Sequence, residues 1–379
     1  MNANKTIIIT RSSGVNPDSR VEKQASLLLD NYKIKVLCWD RAREFKKIEK
    51  KSGYLIYRCQ IKGEYGGGQK NVFPLIKWWI YEFFWLLKTP FDALHACDFD
   101  TYLPALIAAK LKRKKVVYDM VDFYSDMIPV SNFLKNIIKK IDIFLIQFAD
   151  SIILVDDNRR DQIINSKPKK LISICNAPLD LYKKFEDNIK ISKKNNNFTL
   201  GYVGIIGKDR GRDTLFKAVT EMPEINLILG GFNPGESEKD IARKVKNIPN
   251  IKFIGKVSPY EKIPETLSKC DAVVALYDPK IATNRYSSPN KMFEAMMLEK
   301  PIIASKNTTM DKIVKKYKCG IVVDYGDMAQ IKKAISELVN LKKKGDNFYG
   351  ENGRKAYMNV FHNDIMKNKL LKLYTDILS

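Results

Sequence analysis

Residues 284–305, NRYSSPNKMFEAMMLEKPIIAS, show within one stretch the alternation of helix and strand that decides the fold. Phe293, Met296 and Met297 have the i, i+3, i+4 spacing of one helix face. A proline then ends the helix, because proline cannot continue it. The apolar run 301–305 that follows has the composition of a buried strand. A helix that leads directly into a buried strand is typical of a parallel α/β sheet.

The same alternation runs along the whole chain. Strand-like apolar runs in the first half lie at 6–10, 34–39, 54–59, 93–97, 116–119, 152–155 and 171–175. Those in the second half lie at 198–204, 225–231, 251–257, 271–277, 301–305 and 320–325. Amphipathic patterns separate most of these runs, so the sequence predicts parallel sheets covered by helices on both faces.

The length of 379 residues fits two domains at about 150 residues each. The polar, Lys- and Asn-rich stretch 182–197 is predicted to be a linker. We therefore expect an α/β protein with two tandem doubly wound, Rossmann-like domains, 1–181 and 198–352, that face a central cleft. The C-terminal residues 353–379 are expected to be helical and to pack back on the first domain. Ligands of such sheets bind at the carboxyl ends of the strands.

The formal net charge of +23 favours an anionic partner, such as a phosphate-bearing small molecule or an anionic lipid surface. Nucleic acid is not expected, because the chain has no aromatic–basic recognition motif and no concentrated basic stripe. Six cysteines without a C-x-x-C pair, together with only two histidines, argue against a zinc site and suit the cytoplasm. We expect neither a signal peptide nor a transmembrane helix, since the apolar runs are too short.

The start of the helix in 284–305 is a candidate anion site. Ser288 is predicted as the N-cap and Pro289 as the first helical residue. Ser287, Asn290 and Lys291 cluster around this positive end of the helix dipole, which suits a phosphate or pyrophosphate.

Glu294 lies one turn further along the same side as Asn290 and Lys291. Its carboxylate could accept hydrogen bonds from both hydroxyls of a ribose. The alternative is a capped surface helix in which Glu294 pairs with Lys291.

The segment SSPNKMFEAMMLEKPIIAS resembles the donor-binding segment of the family-4 retaining glycosyltransferases of the GT-B fold. Those enzymes carry S-P-x-K-x-x-E-x-M or an E-x7-E pattern at this place. Further segments that resemble the family are 14–30, 95–110, 115–124, 174–178 and 200–215, so the resemblance covers nearly the whole chain.

This resemblance implies a nucleotide-sugar donor site. Glu294 would hold the ribose, and Arg210 would neutralise the diphosphate as negative charge grows on it. The implied donor-binding set is Gly14, Gly204, Arg210, Ser287, Ser288, Pro289, Asn290, Lys291 and Glu294. The implied reaction retains the anomeric configuration, and the departing phosphate itself takes the acceptor's proton.

Three positions depart from the family pattern. Tyr286 stands in place of the first glutamate of E-x7-E, Val121 in place of a histidine, and Ile205 in place of an arginine. The nucleotide half of the site therefore matches the family better than the sugar half.

Asp122, Arg210 and Glu294 form the catalytic set that the resemblance implies. His95 and Asp98 are expected on the acceptor side, at a strand end. His95 could equally be a core histidine, and Asp122 an ordinary helix-start acid.

The aromatic stretch 71–91 contains Trp78, Trp79 and Trp85 and is flanked by lysines. An aromatic helix with basic flanks suits a membrane interface. We therefore predict these tryptophans as membrane contacts, a glycan or polyprenyl-phosphate-linked acceptor, and a peripheral location on the inner membrane surface. The alternative is a helix packed within the first domain.

The sequence thus predicts a glycosyltransferase that acts in surface glycan or glycoprotein assembly. The alternatives are a non-catalytic GT-B-like binder of nucleotides or anionic surfaces, and a nucleotide-sugar epimerase.

No cofactor or metal is expected. Asp98 and Asp100 form a D-F-D pair, but the resemblance places it on the acceptor domain of a metal-independent fold. We predict that sugar transfer persists in EDTA, measured as turnover of nucleotide sugar. Loss of turnover that Mn²⁺ or Mg²⁺ restores would contradict this prediction.

Overall fold

The computed structural model describes residues 4–16, 18–64, 66–194 and 197–379. The chain divides into two compact units. The first unit consists of Met1–Asn176 and Asp364–Ser379, and the second of Ala177–Asn363.

The described part of each unit contains one β-sheet. The first sheet has the strand order β3-β4-β2-β1-β5-β6-β7-β8, parallel except for the antiparallel pair β3 and β4. Its strands are β1 Thr6–Arg11, β2 Lys33–Trp39, β3 Ile48–Lys51, β4 Tyr54–Cys59, β5 Ala93–Cys97, β6 Lys115–Met120, β7 Ser151–Leu154 and β8 Leu171–Ser173. The second sheet has the order β11-β10-β9-β12-β13-β14 and is parallel throughout. Its strands are β9 Phe198–Ile205, β10 Ile225–Phe232, β11 Ile251–Phe253, β12 Ala272–Ala275, β13 Ile302–Ser305 and β14 Gly320–Val323.

Helices connect the strands. Those before the second sheet are α1 Ser19–Leu28, α2 Val72–Lys88, α3 Phe99–Leu111, α4 Tyr124–Met127, α5 Asn132–Leu145 and α6 Glu186–Lys194. The remainder are α7 Arg212–Thr220, α8 Glu238–Val245, α9 Lys262–Ser268, α10 Ala282–Arg285, α11 Asn290–Met297, α12 Thr309–Tyr317, α13 Met328–Lys343, α14 Phe348–Ala356 and α15 Asn363–Leu378. Short 3₁₀ turns include Ile146–Phe148, Asp157–Ile163, Lys183–Phe185 and Lys208–Arg210, and Tyr357–Phe361 forms a π turn.

The expected α/β class with two Rossmann-like sheets and a helical C-terminus is confirmed. Every predicted strand run contains an observed strand, because continuous β-branched runs can be buried on both faces of a parallel sheet. The sequence missed β3, whose IEKK residues alternate between half-buried and exposed at the sheet edge.

The predicted boundaries differ from the observed ones. The stretch 182–197, predicted as a linker, contains α6, which buries Ile189 within the second unit. The first unit's initial segment ends at Asn176 rather than at residue 181, and the chain returns to it only at Asp364 rather than at residue 353.

A buried polar cluster lies inside the first unit. Two guanidinium nitrogens of Arg20 donate to the Asp119 carboxylate at 2.8 and 2.6 Å, and Gln24 donates to it at 2.8 Å. His95 Nε2 lies 3.2 Å from the same carboxylate, and His95 Nδ1 lies 2.7 Å from the Tyr374 hydroxyl of α15. The neighbouring Arg20 and His95 keep the pKa of Asp119 below its usual range despite burial. This cluster connects β5, β6, α1 and α15.

No helix among the described residues is long and apolar enough to cross a bilayer.

We predict that Asp119→Asn destabilises the protein by about 3–5 kcal/mol, because it leaves the buried Arg20 charge without its counter-ion. Urea unfolding followed by circular dichroism measures this loss. Glu186→Gln, which removes an exposed carboxylate paired with Lys190, is the matched control and should unfold at the wild-type urea concentration. An Asp119→Asn protein that unfolds like the control would contradict the prediction.

Candidate functional site

The loop after β9 and the start of α11 carry a cluster of cationic side chains in the second unit, which we call the Arg210–Lys291 pocket. Gly204, near the end of β9, has φ +124°, a backbone conformation that favours glycine. The Tyr202 hydroxyl lies 2.9 Å from the carbonyl of Ile205 and 3.1 Å from that of Arg210. Asn284 donates to the Asp209 carbonyl at 3.1 Å. These bonds fix the 3₁₀ turn that carries Arg210.

The other residues of this pocket lie on helix α11. It begins at Asn290, with Pro289 rather than Ser288 at the N-cap position, and no side chain caps it. The predicted capping role of Ser288 is therefore wrong. Its hydroxyl is buried without a hydrogen-bond partner among the described residues. All residues of α11 from Lys291 onward are buried, so the surface-helix alternative is wrong as well.

Lys291 and Arg210 place two cations in the same pocket. The Lys291 ammonium lies 4.4 Å from the centroid of the Tyr202 ring and 5.6 Å from that of Tyr277. The Arg210 guanidinium lies 3.9 Å from the Tyr277 centroid. Within the described chain, Lys291 makes no hydrogen bond or ion pair, and Arg210 Nη1 is buried without a partner. Asp209, 3.3 Å from Arg210 Nε, and the Glu294 carboxylate partly balance this charge.

The surroundings of Lys291 lower the pKa of its ammonium. The side chain is buried, and burial lowers the pKa of its ammonium to about 7. The Arg210 charge lowers the pKa further, whereas the Glu294 carboxylate opposes the shift. The pocket therefore holds its full positive charge only with an anion bound or at lower pH.

Glu294 lies one turn after Lys291 and is buried. Its Oε1 accepts a hydrogen bond of 2.5 Å from the hydroxyl of Tyr260. The carboxylate raises the pKa of Tyr260 further above the shift that burial causes, so this phenol remains a donor. Tyr260 thus orients the carboxylate that the sequence singled out.

The structure brings the predicted donor residues of the second unit together on the loop after β9 and the start of α11. Of the departures from the family pattern, Tyr286 is half-buried and Ile205 is exposed. Sequence reasoning missed Tyr202, Tyr260 and Tyr277. Lone tyrosines in a chain with 18 of them give no signal of a site.

The carboxyl edge of the first sheet holds a second polar cluster. Arg11, the last residue of β1, donates from Nε to Asp18 at 3.0 Å and from Nη1 to Asp98. The second oxygen of Asp98 accepts from the backbone N–H groups of Val121 and Asp122 at 2.9 and 3.0 Å. Burial raises the pKa of Asp98 to about 7, although Arg11 opposes this shift. Asp98 thus holds two strand ends together at this edge.

Asp122 is the most accessible acid of this cluster. Its side chain is 40% exposed, and it pairs with the buried Arg159 at 2.8 Å. The Asp122 side chain is therefore partly open to solvent at the carboxyl end of β6.

His95 is fully buried inside β5, where it contacts Asp119 and Tyr374. The prediction of an acceptor-side role is wrong, and the alternative of a core histidine is confirmed. His95, Cys97 and Asp119 have ligand atoms within 4.8 Å of one another, a spacing seen in metal sites. The Asp119 carboxylate there already accepts bonds from Arg20 and Gln24, so this group is a structural cluster.

Gly14 lies in a constrained loop after β1. A Cβ at Gly14 would approach the Phe45 ring to 2.9 Å. The next residue, Val15, has φ +49°, which is rare for a β-branched side chain. The buried Arg58 of β4 donates to the Gly14 carbonyl at 2.8 Å and to that of Val15 at 3.4 Å. Sequence reasoning missed Arg58, because it lies within an apolar strand run.

The tryptophans of α2 face inward. Trp78 is fully buried and donates to the Asp100 carbonyl at 3.1 Å, and Trp79 donates to the same carbonyl at 2.9 Å. Trp85 is half-buried and packs on Tyr57, with ring centroids 5.1 Å apart. Trp78 is therefore wrong as a membrane contact, and the other two are largely engaged within the first unit.

Comparisons with known proteins agree with the fold. A family model described as "Glycosyl transferases group 1" matches residues 183–356. The capsular polysaccharide biosynthesis glycosyltransferase CapM of Staphylococcus aureus is 28% identical over 248 residues, which cover 61% of this chain and 62% of CapM. The aligned part thus spans less than two thirds of that relative's length.

Solved structures share the fold at low sequence identity. Sucrose-phosphate synthase from Thermosynechococcus elongatus superposes with a TM-score of 0.76 at 15% identity, over 98% of this chain and 99% of that one. Anabaena HepE in complex with UDP gives 0.72 at 16% identity, over 98% of this chain and 100% of that one.

The resemblance stated from the motifs is thereby confirmed. The chain has the GT-B fold, and its residues 183–356, which carry the Arg210–Lys291 pocket, match the model of the Glycosyl transferases group 1 family.

Proposed function

We propose that this protein is a glycosyltransferase that binds a nucleoside-diphosphate sugar in the Arg210–Lys291 pocket and transfers the sugar to a glycan or lipid-linked acceptor. The observation that carries this proposal is the buried ammonium of Lys291 beside the partly buried guanidinium of Arg210, with no carboxylate hydrogen-bonded to Lys291 among the described residues. Burying charge is costly unless a counter-ion is present. A diphosphate supplies that counter-ion, and the partnerless Ser288 hydroxyl nearby on the chain adds a donor for it.

The carboxylate of Glu294 supports a ribose next to the diphosphate. It lies one helical turn beyond Lys291, and Tyr260 holds it in one orientation. A buried carboxylate can accept two hydroxyl hydrogen bonds, which suits a vicinal diol. The similar protein HepE was crystallised in complex with UDP, so UDP is the first nucleotide to test, with GDP beside it.

The proposed reaction exchanges one bond for another at the anomeric carbon. The bond from this carbon to the β-phosphate oxygen breaks, and a bond to the acceptor hydroxyl oxygen forms. The hydroxyl proton passes to the departing phosphate, so no strong protein base is needed. Arg210 and Lys291 stabilise the negative charge that grows on the diphosphate. The family resemblance supports retention, which NMR of the product's anomeric configuration tests.

Asp122 supports the acceptor half of the proposal. It is the most exposed carboxylate of the cluster at the carboxyl edge of the first sheet and could orient an acceptor hydroxyl. The name of CapM supports assembly of a surface polysaccharide. A polyprenyl-phosphate-linked acceptor would place the protein at the cytoplasmic face of the membrane. The proposal includes no metal, because the two cations of the pocket can neutralise a diphosphate themselves.

We predict that Glu294→Ala weakens UDP binding by about 1.5–3 kcal/mol, the usual contribution of hydrogen bonds to a charged group. Titration calorimetry measures this with UDP and with 2′-deoxy-UDP. The wild type should prefer UDP, and the variant should lose the preference, because the carboxylate that reads the hydroxyl is gone. Glu224→Ala removes an exposed carboxylate of the same unit and should change neither affinity. An unchanged preference in Glu294→Ala would place the ribose elsewhere.

The affinity for UDP should also depend on pH. A diphosphate binds the protonated ammonium of Lys291, whose pKa is about 7 in the free protein. Below that pH the proton is already present, and above it the complex must take one up. UDP affinity should therefore fall as the pH rises from about 7 to 9, approaching tenfold per pH unit.

Calorimetry in buffers of different ionisation enthalpy measures the proton uptake directly. Lys291→Met should bind more weakly and lose the pH dependence, whereas Lys280→Met, at an exposed lysine of the same unit, should keep it. The same slope in Lys291→Met would contradict the assignment of this proton.

A further inference from the structure

Three helices cover one face of the first sheet. Helix α2 connects β4 to β5, α3 connects β5 to β6, and α5 connects β6 to β7. All three crossovers step in the same direction along the strand order. Right-handed crossovers that step in one direction place their helices on the same face of a sheet. The three helices therefore form one layer, and we call its solvent side the outer face.

The outer face of α5 is apolar. Phe133, Ile137, Ile141 and Phe144 follow one another at helical spacing and are exposed, with Phe133 at 72% and Phe144 at 59%. Asp142 is the one fully buried residue of this helix, and it accepts a 2.9 Å hydrogen bond from Tyr118. The helix packs on the core of the first unit through Ile143 and Leu145 together with Asp142, and it exposes a second apolar stripe. An ordinary surface helix keeps its solvent face polar.

Helices α2 and α3 continue this surface. Phe73, Ile76, Ile80 and Phe84 form an exposed stripe along α2, with Phe73 at 76%. An apolar groove of about 230 Å³ lies between α2 and α3. Residues that line the groove include Ile76, Ile80, Phe84, Leu103 and Ile107. Exposed apolar area of this extent marks an interaction surface.

The charged side chains that these helices expose to solvent are all positive. Each helix contains a single carboxylate, Glu82, Asp100 and Asp142, and all three are buried. The solvent-accessible charged side chains of α2, α3 and α5 are all lysines: Lys77, Lys88, Lys110, Lys135, Lys139 and Lys140. An apolar stripe flanked only by lysines complements a surface that is apolar inside and anionic outside.

From this pattern we propose that the outer face of α2, α3 and α5 docks on an anionic lipid bilayer, with Phe133, Phe144 and Phe73 inserted at the level of the headgroups. The argument for this docking surface uses only the exposed side chains and charges of the three helices. The lipid-linked identity of the acceptor, in contrast, rests on the proposed function. The anchors are exposed phenylalanines rather than the tryptophans predicted from the sequence.

The test uses the full chain and vesicle flotation. Vesicles of phosphatidylcholine with phosphatidylglycerol should carry the protein upward, and vesicles of phosphatidylcholine alone should not. Phe133→Ser with Phe144→Ser should lower the partition coefficient about tenfold or more, because two apolar anchors are lost. Lys139→Gln with Lys140→Gln should lower it about fivefold for each lysine.

Matched controls keep the outcome interpretable. Ile164→Ser with Ile191→Ser removes two exposed apolar side chains outside these helices and should leave flotation unchanged. All variants change exposed side chains, so their thermal unfolding and their UDP titrations should match the wild type. If the protein floats normally but binds no nucleotide, the docking proposal is retained and the proposed donor site is rejected.

Two results would overturn the proposal. The first is an intact protein that ignores anionic vesicles, or a Phe133→Ser/Phe144→Ser variant that floats like the wild type. The second is a wild-type dimer in light scattering that the same variant converts to a monomer, without vesicle binding. That result would mean that a second copy covers the face.

Discussion

Parallel strand pairing is the constraint on which the rest of this structure depends. A parallel pair can be joined only through a crossover, so the carboxyl ends of all strands and the loops after them meet at one edge of the sheet. In the second sheet this rule brings the loop after β9 beside the start of α11. Arg210 and Lys291, which are distant in sequence, then share the ring of Tyr277.

The carboxyl edges of the two sheets differ in how their positive side chains are paired. In the first unit, Arg11 and Arg159 each contact a carboxylate, so that edge is internally neutralised. In the second unit, the direct contacts of the Lys291 ammonium are aromatic faces, and the Glu294 carboxylate acts on it without an ion pair among the described residues. Aromatic rings attract a cation weakly compared with an anion. The contrast supports our proposal that a diphosphate binds in the second unit rather than in the first.

Much of the fold could be predicted from the sequence, because its signals are local. Continuous apolar runs marked every strand except β3, which is polar and lies at the sheet edge. The start of α11 was misplaced by one residue, since Ser288 and Pro289 have strong preferences that tertiary contacts overrode. The linker was wrong because α6 buries Ile189 against distant partners.

The failures at the sites have a different cause. Sequence spacing gives a helix face but not the direction in which it points, so Trp78 was assigned to the wrong side. His95 is fixed by Tyr374, a partner 279 residues away, and no local pattern reveals such a contact. Glu294 was found through its motif, whereas Tyr260, which orients it, carried no signal.

A crystal structure of the protein with UDP tests the central claim most directly. The account predicts the diphosphate between Lys291 Nζ and Arg210 Nη1, and the ribose hydroxyls on Glu294. Nucleotide density in another part of the molecule, or none at saturating UDP and GDP, would contradict it.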